Sequence, residues 1–271
     1  MTILTASTTN EASVRPVLRL GLLGVGNVGQ GVIDVLTRNG GEIERRAGQA
    51  IRVVAASRRN VAALKALADA GVRTTDDPGA VVRDPEVDVV VELIGGTTLA
   101  KQLVLEAISL GKHVVTANKA LLAEHGTEIF AAAQKAGVIV AFEAAVAGGI
   151  PIIKALREGL TANHIQWVAG IINGTTNFIL SEMRDKGLDF DTVLKEAQRL
   201  GYAEADPTFD IEGVDAAHKL ALISAIAFGV PVQFHKAHVQ GITGLASEDI
   251  RYAEQLGYRI TLLGITKRVA N

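Results

Sequence analysis

Between Gly201 and Lys219 the sequence gathers Glu204, Asp206, Asp210, Glu212 and Asp215 into one short stretch that runs into a helix and ends on a lysine. Acids so placed can hold a substrate ammonium group. Asp215 falls at the start of the expected helix, where free N–H groups and the dipole favour a carboxylate. Lys219 follows four residues later, so the two side chains share a helix face. A lysine among such acids is either a proton donor and acceptor or half of a structural ion pair, and both readings stand. A calcium loop does not fit, because Asp206-Pro207-Thr208-Phe209-Asp210 lacks the EF-hand spacing and its central glycine. A second lysine, Lys119, comes with Asn118 just after an apolar strand ending at Thr116. It either reaches a cofactor or a reacting carbonyl from the ligand-binding edge of a sheet, or sits on the surface at a helix start. His218 adjoins Lys219 but points about 100° away on a helix and is read as structural, and the histidines show no metal-binding spacing.

The other motif is Gly24-Val25-Gly26-Asn27-Val28-Gly29, which follows an apolar run and opens a helix. In that setting Gly24 permits the tight turn, Gly26 lets the backbone approach a pyrophosphate, and Gly29 lets helix and strand pack closely. The helix start offers N–H groups to the phosphates, so Val25, Asn27 and Val28 join the candidate cofactor contacts. The alternative is a glycine-rich turn that binds nothing. The next strand ends at Ser57-Arg58-Arg59, without the acid that usually holds a ribose 2′-hydroxyl. Arg58 would instead pair a 2′-phosphate, which favours NADP and leaves NAD as the alternative. Gly95, at the end of a later strand, lies on the same expected edge.

These residues need a frame. Strands are expected over Val17–Leu23, Ile51–Ala56, Asp88–Leu93, His113–Thr116 and Val138–Phe142. Helices are expected from about Gln30 to Arg46 with a break at Asn39-Gly40-Gly41, and over Val61–Ala70, Leu99–Leu110 and Leu121–Ala136. Such alternation implies βαβ units and a doubly wound parallel sheet of the Rossmann type. The small-residue run Ala144 to Pro151 marks a boundary. A polar tail expected to be disordered (1–15) and a dinucleotide-binding domain (16–145) would precede an α+β substrate domain (146–271). In that last part strands are expected over Ile165–Ile172 and Arg259–Lys267, with helices over Phe178–Asp185, Asp191–Leu200 and Val214–Phe228.

Composition narrows the classes of function. Hydrophobic residues make up 48% of 271, enough for a sizeable core, and the net charge of −2 favours a small-molecule enzyme over a nucleic-acid or membrane partner. No cysteine is present, which removes disulfides, thiolate zinc sites and thiol nucleophiles. The start lacks the apolar core of a signal peptide, and no stretch is apolar enough to span a membrane, so a cytoplasmic protein is expected.

Taken with Thr116 to Leu121, Glu143 to Pro151, Gly170 to Asn177 and Gly201 to Lys219, the glycine motif makes the chain resemble the homoserine dehydrogenases, in family order over residues 17 to 271. The last three segments do not follow from a generic Rossmann fold. The resemblance implies reversible NAD(P)H-dependent reduction of aspartate 4-semialdehyde to homoserine, a step towards threonine, methionine and isoleucine. It implies Lys219 as proton donor to the aldehyde oxygen, and Lys119 beside the nicotinamide and the reacting carbon. Glu204 and Asp215 would hold the substrate amino group, with Asp210 in the same polar network. It also implies a monovalent cation such as sodium at Glu143 and the carbonyls of Val146, Gly148 and Ile150, and a homodimer through the second domain. The absence of cysteine separates the chain from semialdehyde dehydrogenases that form a thiohemiacetal.

The family's catalytic region continues beyond the strand at Arg259 to Lys267, and many members add a regulatory ACT domain. Poor turnover by the chain as it stands is therefore an expectation, checked against the activity of an extended chain. Two rivals remain at this level: an NAD(P)-binding sensor without turnover, and a reductase of another amino-acid semialdehyde. The Glu204, Asp215 and Lys219 cluster is unexplained by the first, and the Asn173 to Asn177 and Gly201 to Lys219 segments speak against the second.

Overall fold

The computed structural model describes residues 17–269, so the tail expected over 1–15 lies outside the described residues. The chain divides into two compact units at Ile94 and Gly95. In the first, β1 (Leu18–Leu23) leads into α1 (Asn27–Ala47) and β2 (Ile51–Ser57). A 3₁₀ turn at Val61–Leu64, α2 (Lys65–Asp69), β3 (Arg73–Thr75), α3 (Pro78–Arg83) and β4 (Val89–Glu92) complete it. β1 pairs in parallel with β2 and β4, and β2 with β3. Every residue of β4 is buried, which is why its Val-Val-Val run reads as continuously apolar rather than alternating. Gly21 in β1 has a packing reason: a Cβ there would meet Val81 Cγ1 at 2.7 Å, so its absence lets α3 lie on the sheet.

α1 corrects the expected break at Asn39-Gly40-Gly41, for it runs unbroken to Ala47 and stops at Gly48 in the left-handed conformation. Each interior glycine costs about 1 kcal/mol relative to alanine. Val32, Ile33 and Leu36 on one face pack against the core of β1, β2 and β4, and burial of that face outweighs the local cost. The predicted helix over Val61–Ala70 is a 3₁₀ turn followed by the five residues of α2.

The second unit opens with α4 (Thr98–Ser109), β5 (His113–Thr116), α5 (Lys119–Ala136) and β6 (Val140–Ala141). The parallel sheet has the order β3-β2-β1-β4-β5-β6, the doubly wound arrangement of a Rossmann-type fold. Then follow α6 (Ile152–Lys154), a π-helical turn at Ala155–Gly159, β7 (Trp167–Gly170), α7 (Gly174–Lys186) and α8 (Phe190–Arg199). α9 (Thr208–Ile211), α10 (Val214–Phe228), a 3₁₀ turn at Phe234–Lys236, α11 (Ser247–Gln255) and β8 (Gly264–Lys267) close the unit. β7 and β8 form a separate antiparallel pair and are shorter than the strands expected there. The second unit holds two apolar clusters. One joins Leu122, Phe142, Ile153 and Leu222; the other joins Ile179, Met183, Val193 and Ile250. Among the described residues no helix is long and apolar enough to cross a membrane.

Candidate active site

In the first unit the glycine turn has the properties a pyrophosphate site requires. Gly24 has φ +93°, and a Cβ there would lie 2.9 Å from the carbonyl oxygen of Leu93, so no other residue fits. A Cβ on Gly29 would run into the carbonyl oxygen of Gly24, so its absence is what lets α1 leave the turn so closely. A Cβ on Gly26, by contrast, would meet nothing within 4 Å. That open approach, at a helix start with no side-chain cap and no acid in its first turn, is where an anion can reach backbone N–H groups. Val25 is buried and contributes only backbone, while Asn27 and Val28 are exposed. Gly24 N donates to Ser57 O at 3.1 Å, which holds the end of β2 beside the turn. The next residue, Arg58, is exposed and makes no ion pair among the described residues.

The second unit assembles both lysines around one carboxylate. Asp215, on the first turn of α10, is 3% exposed. Its Oδ2 lies 2.7 Å from Lys219 Nζ, one turn along the helix, and its Oδ1 lies 3.1 Å from Lys119 Nζ. Lys119 is the first residue of α5, whose start is fixed by Asn118: the amide oxygen accepts from Leu121 N at 3.1 Å, and Nδ2 donates to Gly96 O at 2.7 Å. Gly95 and Gly96 form a pair of left-handed residues leading into α4. Lys119 Nζ also sits 5.5 Å from the centre of the Phe209 ring. Lys219 Nζ donates in addition to Ile172 O at 3.0 Å.

Burial alone would raise the pKa of Asp215. The hydrogen bonds from Lys219 and Asn173, with the charges of both lysines, overcome it and hold the carboxyl below its ordinary range. The sequence left open whether Lys219 was half of a structural pair. The pair exists, but with Lys119 as a third member beside a pocket of roughly 500 Å³ lined by Asn173, Thr175, Phe178, Tyr202, Asp210 and Lys219.

Asn173, Thr175 and Tyr202 were not among the residues expected at the site. Asn173 Nδ2 donates to Asp215 Oδ2 at 2.9 Å and to Asp210 Oδ1 at 2.7 Å, and Thr175 Oγ1 lies 3.2 Å from Asp210 Oδ2. An asparagine three residues before Thr176 is a legible helix cap. Its reach to two acids some forty residues on is not. Glu204 stands apart: its side chain is exposed and makes no polar contact among the described residues, while its backbone oxygen accepts from Gln198 Nε2 at 3.1 Å. His218 is 3% exposed, edge-on to Phe209 and Phe234, and its Nδ1 has no partner. Burial pushes its pKa down, with the charge of Lys119 adding to this and Glu124 and Asp215 opposing it.

Around the implied cation site, Glu143 accepts from Ile153 N at 2.7 Å and Lys154 N at 3.0 Å, so its carboxylate caps α6. Ile150 O accepts from Ile152 N at 2.8 Å, whereas the carbonyls of Val146 and Gly148 accept no backbone hydrogen bond among the described residues. No group of three or more His, Asp or Glu side chains among the described residues could hold a metal.

Comparison with known proteins places these segments. Residues 151–270 match the family model "Homoserine dehydrogenase", and residues 24–143 match "Homoserine dehydrogenase, NAD binding domain". A homoserine dehydrogenase of Pseudomonas aeruginosa is 62% identical over 258 residues, covering 94% of this chain and 58% of the relative. The chain thus spans little more than half the length of such curated relatives. Among solved structures, a homoserine dehydrogenase from Thiobacillus denitrificans is 67% identical with a TM-score of 0.90, covering 94% of this chain and 59% of that one. A putative homoserine dehydrogenase from Archaeoglobus fulgidus is 34% identical with a TM-score of 0.82, covering 93% and 81%.

Proposed function

From the premise that the chain belongs to the homoserine dehydrogenase family, we propose that it interconverts aspartate 4-semialdehyde and homoserine with a nicotinamide dinucleotide. The carrying observation is the pair of lysines on one buried aspartate beside a polar pocket.

The turn at Gly24, Gly26 and Gly29, with Val25, Asn27 and Val28, would hold the pyrophosphate, and Gly95 belongs to the same set. A dinucleotide bound there supplies the hydride in the reducing direction and accepts it in the other. Lys219 has three N–H bonds, two of them committed to Asp215 and Ile172. The third is free for the substrate oxygen: it stabilises negative charge as hydride arrives at carbon, then donates the proton. Lys119, tied to Asp215 and resting on Phe209, adds a second positive charge. Asp215 keeps both ammonium groups in place. Asp210 has no cationic partner among the described residues, so its charge is available to the substrate amino group, with Glu204 assigned to the same role.

The finer readings are proposals too. The dinucleotide-binding and substrate domains are assigned to 16–145 and 146–271. Arg58 favours NADP over NAD, because its exposed guanidinium directly follows β2 and makes no ion pair among the described residues. A monovalent cation is assigned to Glu143, Val146, Gly148 and Ile150. The protein is assigned to the cytoplasm as a homodimer. Support for the dimer comes from an apolar strip at Trp167 on β7, Ile171 just beyond its end and Ile265 on β8, each at least half exposed.

Following the absorbance of reduced nicotinamide with homoserine and NADP or NAD tests the reaction. Wild type should reduce NADP, and Lys219→Ala should lose about 10²–10⁴-fold in kcat. A mutant as active as wild type would remove Lys219 from the chemistry.

A further inference from the structure

The side chain of Asn173 spends its hydrogen bonds on the start of α7 and on two acids of this site. Its Oδ1 accepts from Thr176 N and Thr176 Oγ1, both at 2.8 Å, and its Nδ2 donates to Asp210 at 2.7 Å and Asp215 at 2.9 Å. The amide can face only this way, because turning it over would set its oxygen against two carboxylates. It is 4% exposed and therefore has no water to fall back on.

Its position in the chain is equally constrained. Ile172 and Asn173 are consecutive: the carbonyl of the first takes Lys219, and the side chain of the second takes Asp215. Together they grip the two ends of the ion pair on α10. Through Asp210 the same amide also fixes α9, and through Thr176 it starts α7.

We infer that Asn173 is a positioning residue that divides the labour of two acids, turning Asp215 to the lysines and leaving Asp210 for the cationic group of the substrate. This rests on the function proposed above. A neutral donor of two N–H bonds is the only side chain of this size that can stand between two carboxylates without changing their charge. Any acid there would face Asp210 from α9, Asp215 and Lys219 from α10, and Lys119 from α5.

The test is Asn173→Asp, which keeps the size and the helix cap but replaces both donors with acceptors, alongside Asn173→Ser, which keeps a cap but cannot span the acids. With homoserine, Asn173→Asp should lower kcat by about 100-fold and move the acid limb of the kcat/KM profile to higher pH. NADP affinity by fluorescence should stay within about twofold of wild type, since Asn173 is not among the residues assigned to the dinucleotide and the glycine turn is untouched. A separate reading needs no turnover. A third carboxylate in the cluster has its folded pKa raised, so its penalty grows as pH rises through that range. The Tm deficit of Asn173→Asp against wild type should therefore be larger near pH 8 than near pH 5, and that of Asn173→Ser should not change with pH. An Asp deficit equal at both pH values, or an unmoved acid limb, overturns the inference by reducing Asn173 to a helix cap. Failure to oxidise homoserine by both this chain and a chain extended to the full catalytic region overturns the proposed reaction instead, and the Tm comparison still decides the role of Asn173.

Discussion

Asp215 accepts hydrogen bonds or ion pairs from three partners within about one side chain's reach, and that concentration makes its charge state a stability matter. Its pKa is depressed in the folded chain, so it contributes stability fully present above its ordinary value of 3.8 and lost as pH falls through the lower, folded value. Asp215→Asn should destabilise the protein by roughly 2–4 kcal/mol at neutral pH, because two partly buried lysines lose their counter-charge. In denaturant melts the gap to wild type should narrow only below about pH 4; a gap unchanged down to pH 3 would assign the loss to packing. The sequence showed that Asp215 and Lys219 share a face, since four residues make one helical turn. It could not show Lys119 joining them, since α5 and α10 meet only through tertiary packing. Nor could it show that Glu204, grouped with the others by proximity in the chain, turns its carboxylate to solvent.

At the scale of elements, α1 carries the clearest contradiction between local preference and outcome. Gly40 and Gly41 sit in a continuous helix, and a Cβ at either would meet nothing within 4 Å. Gly40→Ala and Gly41→Ala should each raise stability by about 0.5–1 kcal/mol, read as a higher denaturant midpoint with unchanged slope. A fall in midpoint would mean that the helix needs a glycine there. Gly29→Ala is the opposite case, since its Cβ collides with the Gly24 carbonyl. It should weaken dinucleotide binding by about tenfold or more in a fluorescence titration, with a lower Tm, because the turn must open to admit the methyl. Long apolar segments were legible: α10, with no exposed residue from Val214 to Phe228, has the bounds expected for it. The short pieces α3, α6, α9 and β3 were not, because three to six residues are too few to display a period.

For the whole molecule, the antiparallel pairing of β7 with β8 sets Trp167 opposite Lys267 and Ala169 opposite Ile265, so one face carries an exposed apolar strip. If a second copy covers it, light scattering should give twice the mass of the 28.4 kDa chain, and Ile265→Lys should shift the species towards monomer. A monomeric wild type would leave the strip without that role. Periodicity, glycine placement and cap residues are local properties, and by themselves they determined the parallel sheet, the glycine turn and the Asp215–Lys219 face. The tertiary structure alone decided that Lys119 and Lys219 share one carboxylate, that Asn173 stands between two acids, and that the side chain of Glu204 is exposed. Each depends on segments tens of residues apart being pressed together by the burial of Leu122, Leu222 and Ile179, and no local pattern encodes that distance.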